Sequence, residues 1–508
     1  MENQENITPE GFHLNTALDV QLLPATPLRA GELSCLYEYG NLRRIALGDA
    51  EVLAMLYGAL RDETWATLPY DIRDEKVEQY ESGFLISYTA EYMHKQKHVY
   101  TADFVLEGKP DNTISMEMRG RALASFQRNR IGLCLLHGLW SKGAVVAVVS
   151  DGGAPTKSAF PELISPHQIM FDIRKLNYTH QGVSVACAFE GDIFETEDQR
   201  NWMDASFKTY STPLSIPIPV DVKSGDTVYN KITVKVTGAA AQVAQHKEEQ
   251  SFTFPAIGYE KHYGAALTSD EIEKLKRIPF DHYRVELDVT NREWKARLDE
   301  AAREAELLGA RLEVVMFFAT MESSELEDVA STLAGKGRLL SHVLPLAAGH
   351  LATPRRLQEQ FYPMLKRLAP DVLVGYGTDS YFTELNRERP EDDRYDFVSF
   401  PLFPQVHASD TRTIIENLQT GPDIIATVRS FTDKPIFISP LTLAARGDAV
   451  DPRQHTRFAA EWTRRCIASL RGAARVTIEK ATGPRGVLRD GKPTVLFEAL
   501  EKERGIVD

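Results

Sequence analysis

Cysteine is scarce in this sequence, whose 508 residues include four: Cys35, Cys134, Cys187 and Cys466. They lie far apart, in apolar runs such as IGLCLL and VSVACAF, whereas the cysteine ligands of structural zinc sites usually come in close pairs. This spacing argues against a cysteine metal site. It favours buried free thiols in a reducing compartment over disulfides.

Long hydrophobic runs are also lacking. No apolar stretch reaches the roughly 20 residues that a membrane-spanning helix needs, and the first residues, MENQENITPEG, have neither the basic nor the apolar region of a signal peptide. Lysine and arginine (58) are outnumbered by aspartate and glutamate (72), which gives a net charge of −14. A charge of this sign argues against nucleic acid and anionic membranes as partners. We therefore expect a cytoplasmic protein, and the sequence leaves open whether it forms a homo-oligomer.

Several catalytic motifs do not occur in the sequence. It contains no GxSxG nucleophile elbow, no HExxH zinc motif and no phosphate-binding P-loop. The 13 histidines are scattered, which argues against a metal site built from several of them. We expect neither a cofactor nor a metal, although a single divalent cation held by carboxylates remains an alternative.

Short segments that alternate apolar and polar residues fill the first half of the chain. Residues 85–94, 99–108 and 113–122 show this period-two pattern, which is typical of strands with one buried face. The stretch GKPDNT between the last two is rich in turn-forming residues and predicts a hairpin. Further segments of this kind continue to residue 238, and short strands at such spacing are typical of a large antiparallel sandwich.

One helix is predicted among these strands. Gly48 and Asp49 would open it, because a turn-forming pair precedes an apolar series at helical spacing. Val52, Leu56 and Leu60 would lie on its buried face, together with Leu53.

Strand-like and helix-like segments alternate after residues 237–251, a polar, small-residue stretch that we interpret as a linker. RVELDV (284–289), for example, leads into an amphipathic helix that Gly309 would end. Such alternation is typical of parallel strands with crossover helices, and about 250 residues is the usual size of a (β/α)₈ barrel. We predict an antiparallel β-sandwich over residues 1–250 and a (β/α)₈ TIM-type barrel over residues 251–508. An open doubly wound sheet is the alternative for the second part, but no glycine-rich dinucleotide fingerprint follows its first strand.

Polar residues are predicted to point into the barrel at the carboxyl ends of its strands, where the active sites of such barrels lie. Strand alternation turns the following residues inward: Arg284, Glu286, Asp288, Thr477 and Glu479. Asp379 comes just after another strand, and His407 lies in the loop after the next. Asp288, Asp379 and Glu479 are therefore expected to converge at one mouth for general acid–base chemistry. The alternative is that Arg284 or Lys480 neutralises one of them in a structural ion pair.

Other candidate binding residues lie close to these in the sequence or in a charged loop. Tyr381, Asn386 and Arg387 follow Asp379 and would hold substrate hydroxyls, although Asn386 and Arg387 could equally cap a helix or pair with Glu384. The charged stretch at residues 189–210 contains Trp202, which would form a stacking wall over the barrel mouth. A loop held by internal salt bridges is the alternative for that stretch.

Long polar motifs occur in both halves of the chain. In the first half they are FEGDIFETEDQRNWMDASFKTY, RGRALASFQRNRIGLCLLHG and ISPHQIMFDI; in the second they are GTDSYFTELNRERP, FPQVHASD and TIEKATGPRGVLRDGKP. Together these motifs resemble the D-apionate lactonases. The resemblance extends from about residue 35 to about residue 495. It implies a small-molecule sugar lactone as substrate and hydrolysis of D-apionolactone to D-apionate, a step in D-apiose catabolism. It assigns no catalytic residues.

The predicted barrel also resembles, more distantly, glycoside hydrolases with one catalytic glutamate after strand four and another at strand seven. In our strand count Glu479 occupies the position on strand seven, whereas strand four ends in Thr378-Asp379-Ser380 instead of Asn-Glu. This difference argues against a glycosidase, whose retaining mechanism needs carboxyl groups about 5–5.5 Å apart.

The sequence therefore predicts a lactone hydrolase. Glu479 would act as general base and Asp379 as the acid that protonates the departing ring oxygen, while His407 or a backbone N–H would stabilise the oxyanion. A retaining glycosidase with Glu479 as nucleophile and a non-catalytic carbohydrate-binding protein remain alternatives.

Overall fold

A computed structural model of the chain describes residues 20, 22–239, 254–447 and 450–503. The described residues divide into two compact units. Residues 22–200 and 205–239 belong to the first, and residues 201–204 and 254–503 belong to the second. Most of the linker predicted at residues 237–251 lies outside the described residues.

The first unit consists of antiparallel strands. In chain order they are β1 Thr26–Ala30, β2 Leu33–Glu38, β3 Asn41–Leu47, β4 Ala50–Asp62, β5 Tyr70–Tyr80, β6 Gly83–His94, β7 Lys97–Lys109, β8 Thr113–Ala122, β9 Phe126–Gly138, β10 Val145–Val149, β11 Thr156–Ala159, β12 Met170–Ile173, β13 Lys175–His180, β14 Val183–Glu190, β15 Phe194–Asp198, β16 Ser206–Tyr210, β17 Val220–Val222 and β18 Thr227–Gly238. Short 3₁₀ turns lie at Leu139–Ser141 and Gln199–Trp202.

These strands form two sheets that share one core. The first has the order β1-β2-β3-β4-β9-β16-β15-β12, with β17 beside β9, and the second has the order β11-β10-β13-β14-β18-β8-β7-β6-β5. Buried side chains from both sheets, such as Leu56 and Phe104, belong to a single hydrophobic cluster. Two antiparallel sheets with interdigitating inner faces make a β-sandwich, as predicted.

The helix predicted after Gly48 is wrong, because these residues form the strand β4. Gly48, at φ 57°, makes the tight turn between β3 and β4. The strand is buried on both faces, and its register with β9 shifts between Leu53 and Met55. Apolar residues on both faces combined with a bulge imitate the three- and four-residue spacing of a helix.

The second unit is an eight-stranded parallel barrel. Its strands are β19 Ala256–Glu260, β20 His282–Asp288, β21 Arg311–Phe318, β22 Leu340–Ala347, β23 Leu373–Gly377, β24 Phe397–Leu402, β25 Ile436–Leu441 and β26 Ala473–Thr482. The pairing of β19 with β26 closes the barrel, and the hairpin β27 Gly486–Arg489 and β28 Lys492–Pro493 follows. This architecture confirms the predicted (β/α)₈ barrel.

Helices separate most of these strands. They are α1 Ser269–Leu275, α2 Trp294–Leu308, α3 Ser323–Ala334, α4 Tyr362–Leu368, α5 Phe382–Arg387, α6 Thr411–Glu416, α7 Gly421–Arg429, α8 Arg457–Ser469 and α9 Val495–Glu503, with 3₁₀ turns at Gly337–Leu339 and Asn417–Thr420 and a π turn at Leu357–Phe361. Gly309 ends α2 in the left-handed conformation, φ 73°, as predicted.

The strand count used in the sequence analysis is wrong by one. It omits β19, a five-residue strand whose alternation is too short to stand out. Asp379 therefore follows the fifth barrel strand, not the fourth, and Glu479 lies on the eighth, not the seventh.

The four cysteines are buried and unpaired, as predicted. Among the described residues, no helix is both long enough and apolar enough to cross a membrane.

Candidate active site

A polar cavity opens at the carboxyl ends of the barrel strands. Its volume is about 350 Å³. Three carboxylates, three cations, two aromatic rings, a proline of β25 and a glycine from the loop after it line the cavity: Glu260, Glu286, Asp379, Arg446, Lys480, Arg485, Tyr381, Phe403, Pro440 and Gly447. Charged groups of both signs around so small a space are characteristic of a site that binds a polar molecule.

Arg284, on β20, lies buried among the carboxylates of the barrel. Its guanidinium nitrogens lie 3.2 Å from Glu260, 2.6 Å from Glu286, 3.2 Å from Asp379 and 3.7 Å from Glu313. Burial opposes the charged form, but these carboxylates raise the pKa of Arg284 above its ordinary value. The inward orientation predicted for Arg284 and Glu286 is therefore observed. The buried Arg284 guanidinium contacts carboxylates from three barrel strands and one that follows a fourth strand.

Glu286 and Asp379 form a hydrogen-bonded carboxyl pair whose two members titrate differently. Burial and the neighbouring Glu286 carboxylate raise the pKa of Asp379 to about 6, although Arg284 and Arg446 act in the opposite direction. Burial alone would raise the pKa of Glu286 as well, but Arg284 and Lys480 hold it below its ordinary value. Asp379 is thus the member that takes up a proton first, and such separation of two carboxyl groups is what acid–base catalysis requires.

Further cations complete the wall. Lys480 donates from Nζ to Oε1 of Glu260 at 2.5 Å. Arg446 donates from Nε to the backbone oxygen of Asp379 at 3.1 Å, and its Nη2 lies 3.2 Å from Oδ2 of the same residue. The Arg446 side chain is 45% exposed and lines the cavity beside Asp379.

Strand alternation is interrupted at Glu479, whose carboxylate lies near enough to Glu260 for the two charges to interact. The register between β19 and β26 shifts at this point, and Glu479 has a φ of 30°, so an extra residue is accommodated as a bulge. The alternation holds up to Thr477, which faces inward. Beyond the bulge, Lys480 belongs to the described lining of the cavity and Glu479 does not.

The carboxylate of Glu479 is buried, and three neighbouring groups contact it. Oε1 accepts a hydrogen bond from the backbone N–H of Leu443 at 3.2 Å, and Oε2 lies 3.5 Å from Nε of Arg485. Gln454 also donates to it. Burial raises the pKa of Glu479 above its ordinary value.

Asp288, the third predicted carboxylate, is exposed at the end of β20. Its Oδ1 accepts hydrogen bonds from the backbone N–H and the hydroxyl of Thr290, both at 2.7 Å. These contacts form a local turn of the kind that aspartate favours. The structure thus brings Asp379 together with Glu286 and Glu260, and it does not bring Asp288 to them.

Trp202 contacts both His407 and Tyr381, and Tyr381 is part of the cavity wall. Nδ1 of His407 is 2.6 Å from Oδ2 of Asp204, a buried residue. The Trp202 ring lies 5.1 Å from that of Tyr381 and 6.0 Å from that of His407, measured between centroids. An acid bonded to one nitrogen of a histidine fixes its tautomer and orientation. Asp204, one of the charged residues of the stretch 189–210, therefore orients His407.

Asn386 and Arg387 contact protein groups on helix α5 and in the segment 201–204. Asn386 is buried, donates from Nδ2 to Oδ1 of Asn201 at 2.9 Å and accepts from Arg389 at 2.7 Å. Arg387 lies 4.0 Å from Glu384, and its guanidinium is 5.8 Å from the Trp202 ring centroid. These contacts match the scaffold alternative for both residues, and their role in holding hydroxyls stays a prediction.

A second buried polar group lies deeper in the barrel, and sequence reasoning missed it. Glu313 accepts hydrogen bonds from Ser439 at 2.5 Å and Thr477 at 2.6 Å, and it lies 3.3 Å from His282 and 3.7 Å from His342. Burial opposes its charge, but the two histidines and Arg284 hold the pKa of Glu313 far below its ordinary value. Alternation in RLEVVMFF would have identified Glu313 as inward-facing. Arg446 and Arg485 carry no such signal, because they lie in loops.

One group with the geometry for a metal ion occurs among the described residues, and it lies in the first unit. Ligand atoms of Asp62, Glu63 and His94 lie within 4.8 Å of one another. Glu63 also pairs with Lys95 at 3.2 Å, which already supplies a positive charge there.

The sequence matches known families over both units. Residues 15–239 match the D-apionate lactonase N-terminal domain, and residues 258–505 match the D-apionate lactonase TIM barrel domain. A curated relative, the D-apionate lactonase of Brucella anthropi, is 29% identical over 517 aligned residues, which cover 92% of this chain and 85% of the relative.

Solved structures with lower similarity include two enzymes that act on glycosides. A beta-arabinopyranosidase has a TM-score of 0.30 and 9% sequence identity. The match covers 69% of this chain and 66% of the arabinopyranosidase, slightly less than two thirds of the length of that enzyme. The endo-1,4-beta-D-mannanase from Thermotoga petrophila has a TM-score of 0.35 and 12% identity, with 50% of this chain and 100% of that one covered. Because the two domain matches together span nearly the whole sequence, the chain belongs to the D-apionate lactonase family.

Proposed function

We propose that the protein hydrolyses a small sugar lactone, D-apionolactone to D-apionate, in the catabolism of D-apiose. The observation that carries this proposal is the hydrogen-bonded pair of Glu286 and Asp379 in a polar cavity of about 350 Å³. A cavity of this size suits a single sugar ring better than a polymer. The proposed substrate follows from membership of the family and from the activity named for the relative.

Asp379 is the proposed acid–base residue. With a pKa near 6 it is mainly a carboxylate at neutral pH, and such a group can take a proton from water as the water oxygen attacks the lactone carbonyl. The tetrahedral intermediate then collapses, the bond between the carbonyl carbon and the ring oxygen breaks, and Asp379 returns the proton to the departing oxygen. The new carboxylic acid ionises, so one proton is released for each lactone opened.

The surrounding charges support both halves of this reaction. Burial and the ionised Glu286 carboxylate keep the pKa of Asp379 high, which makes Asp379 a stronger base than an ordinary aspartate. Arg446 and Lys480 line the same cavity and can donate hydrogen bonds to the oxyanion. The predicted contribution of His407 to the oxyanion, and that of Glu479 as base, stay predictions.

The glycosidase alternative loses its catalytic positions once the strands are numbered correctly. The fourth barrel strand ends at Ala347 and is followed by Ala348, and the seventh ends at Leu441 and is followed by Thr442. Neither strand end presents the carboxylate that the retaining mechanism requires there. The carboxylates of the cavity come from other strands.

A pH-stat assay over a panel of aldonolactones, with D-apionolactone included, tests the proposal. We expect one proton released per D-apionolactone opened and no sugar released from aryl glycosides. Reducing sugar released from an aryl glycoside would establish the glycosidase instead. Tight binding of the lactone without turnover by fully folded protein would establish a carbohydrate-binding protein.

A further inference from the structure

The short segment after β25, which we call the rim segment (residues 442–447), carries Arg446 to the cavity. No regular secondary structure holds this segment, so its conformation depends on contacts with neighbouring groups. Arg446 makes two contacts with one residue, to the backbone oxygen of Asp379 at 3.1 Å and to its carboxylate at 3.2 Å. Besides the ring of Tyr381, whose centroid lies 6.0 Å from the Arg446 guanidinium carbon, the contacts that fix the rim segment therefore set the position of Arg446 relative to the proposed acid–base residue.

Two side chains from the end of the barrel hold its two ends, and Gln405, in the loop after β24, also donates to the backbone oxygen of Leu443 at 2.8 Å. The backbone N–H of Leu443 donates to Glu479, near the start of the segment, and the backbone oxygen of Gly447 accepts from Arg485, at its end. Glu479 and Arg485 lie 3.5 Å apart and are largely buried, with 2% and 11% of their side chains exposed. One ion pair therefore connects both anchors of the segment.

The bulge in β26 accounts for this arrangement. A non-glycine residue at positive φ is uncommon and is retained where the surrounding structure requires it. At Glu479 this conformation turns the carboxylate to the rim segment and leaves Lys480 to face the cavity. A buried carboxylate that receives a backbone N–H and an arginine has the contacts of a structural anchor.

We infer that Glu479 and Arg485 are positioning residues, whose ion pair holds the rim segment so that Arg446 reaches Asp379 and the lactone carbonyl. This inference rests on the proposed function, because it assigns Arg446 a role in the same reaction. It differs from the sequence-based mechanism, in which Glu479 itself removes the proton from water. It also predicts that Glu479 acts only through Arg446.

The pH dependence distinguishes these roles. The charged groups that face Asp379 are Arg284, Arg446, Glu286 and Glu260. An adjacent cation lowers the pKa of a carboxyl group, so release of Arg446 would raise that of Asp379 further. On the acidic limb of the pH profile, kcat/KM falls as the base becomes protonated. A displaced rim segment should therefore move this limb to higher pH, whereas loss of the general base should remove it.

A double-mutant cycle on the full-length protein tests the inference. Wild-type protein is first assayed for lactone opening in a pH-stat, and failure at this step contradicts the proposed function, not the positioning role. Arg446→Gln should lower kcat/KM by roughly 10- to 100-fold, since it removes a charge-assisted contact in a partly buried site. Glu479→Ala should give a similar loss and shift the acidic limb to higher pH. The double variant should be no worse than Arg446→Gln alone, within about twofold.

Glu479→Gln provides the conservative comparison. Its amide oxygen can still accept from Leu443, so we expect it to keep more than about a tenth of the wild-type kcat and to retain the acidic limb. Losses that multiply in the double variant, or a Glu479→Gln variant that loses about 10²-fold or more of kcat together with its acidic limb, would overturn the positioning role. If Glu479→Ala does not fold, by circular dichroism, Arg485→Ala replaces it in the cycle, because this change removes the other member of the ion pair and its bond to the backbone oxygen of Gly447.

Discussion

Glu286 and Asp379 line the same cavity, but their pKa values shift in opposite directions because different charged groups surround them. Arg284 and Lys480 stabilise the charge of Glu286, whereas partial burial and that neighbouring negative charge raise the pKa of Asp379 to about 6. The difference arises from distances of a few ångströms between side chains on separate strands. It makes the chemistry of the site testable one residue at a time.

Replacement of Asp379 by asparagine should abolish most of the activity. The substitution keeps the shape of the side chain but removes the group that accepts and returns the proton, and general acid–base catalysis typically contributes about 10²–10⁴-fold. We expect kcat, measured by pH-stat, to fall by that factor. Asp371→Asn is the matched control, because this exposed aspartate precedes the same strand at its opposite end. Equal activity of the two variants would refute the role of Asp379.

The pH dependence of kcat/KM should change with the charge on Glu286. Asp379 must be ionised to accept a proton, so kcat/KM should decline as the pH falls through about 6. Glu286→Gln removes the negative charge that helps to raise the pKa of Asp379, so the acidic limb should move to lower pH. A limb that stays in place or moves upward in the variant would show that Glu286 does not set this pKa.

At the level of elements, short irregular segments between regular strands and helices bring side chains to the site. The rim segment supplies Arg446, and residues 201–204 supply Asp204 and Trp202 to the barrel unit. Strand β20 holds both Arg284 and Glu286 inside the barrel. This division between a rigid base and variable loops is typical of barrel enzymes.

Trp202→Ala should raise KM more than it lowers kcat. Trp202 packs against Tyr381 in the cavity wall, and contacts that hold substrate equally in the ground and transition states affect KM alone. An aromatic contact of about 0.5–1.5 kcal/mol corresponds to roughly a 2- to 10-fold change in KM. Trp202→Phe keeps a ring at this position and should lie close to wild type. Unchanged kinetics with a lower melting temperature would instead identify the segment as scaffold.

At the scale of the whole molecule, the chain joins a large antiparallel sandwich to a barrel that contains the proposed catalytic groups. The barrel cavity is lined by the cations Arg446, Lys480 and Arg485, which can perform the electrostatic role that a metal ion has in other hydrolases. The cluster of Asp62, Glu63 and His94 belongs to the other unit.

Chelation should therefore leave hydrolysis nearly unchanged. We expect the kcat of protein dialysed against EDTA to equal that of untreated protein, because the proposed proton transfers use side chains alone. The measurement is the pH-stat rate before and after dialysis. Loss of activity that Zn²⁺, Mn²⁺ or Ca²⁺ restores would contradict a metal-free reaction.

The sequence by itself determined the fold class. It also determined part of the surroundings of Asp379. Period-two segments such as Thr113–Ala122 specify strands because every second side chain is buried, and alternating strand and helix patterns specify a parallel barrel. The same alternation places Arg284 and Glu286 inside the barrel. These inferences succeed because they depend only on the local geometry of one strand.

Tertiary structure decided everything that depends on contacts between distant segments. The bulge at Glu479 arises from the pairing of β26 with β19, and strand alternation read from one segment cannot include an extra residue that its partner imposes. The helix expected after Gly48 became a strand because β4 is paired on both sides and buried on both faces. Arg446 reaches Asp379 from a loop, whose course follows from packing and not from periodicity. The charges of the site are close together only because the closed barrel brings the ends of its strands to one mouth.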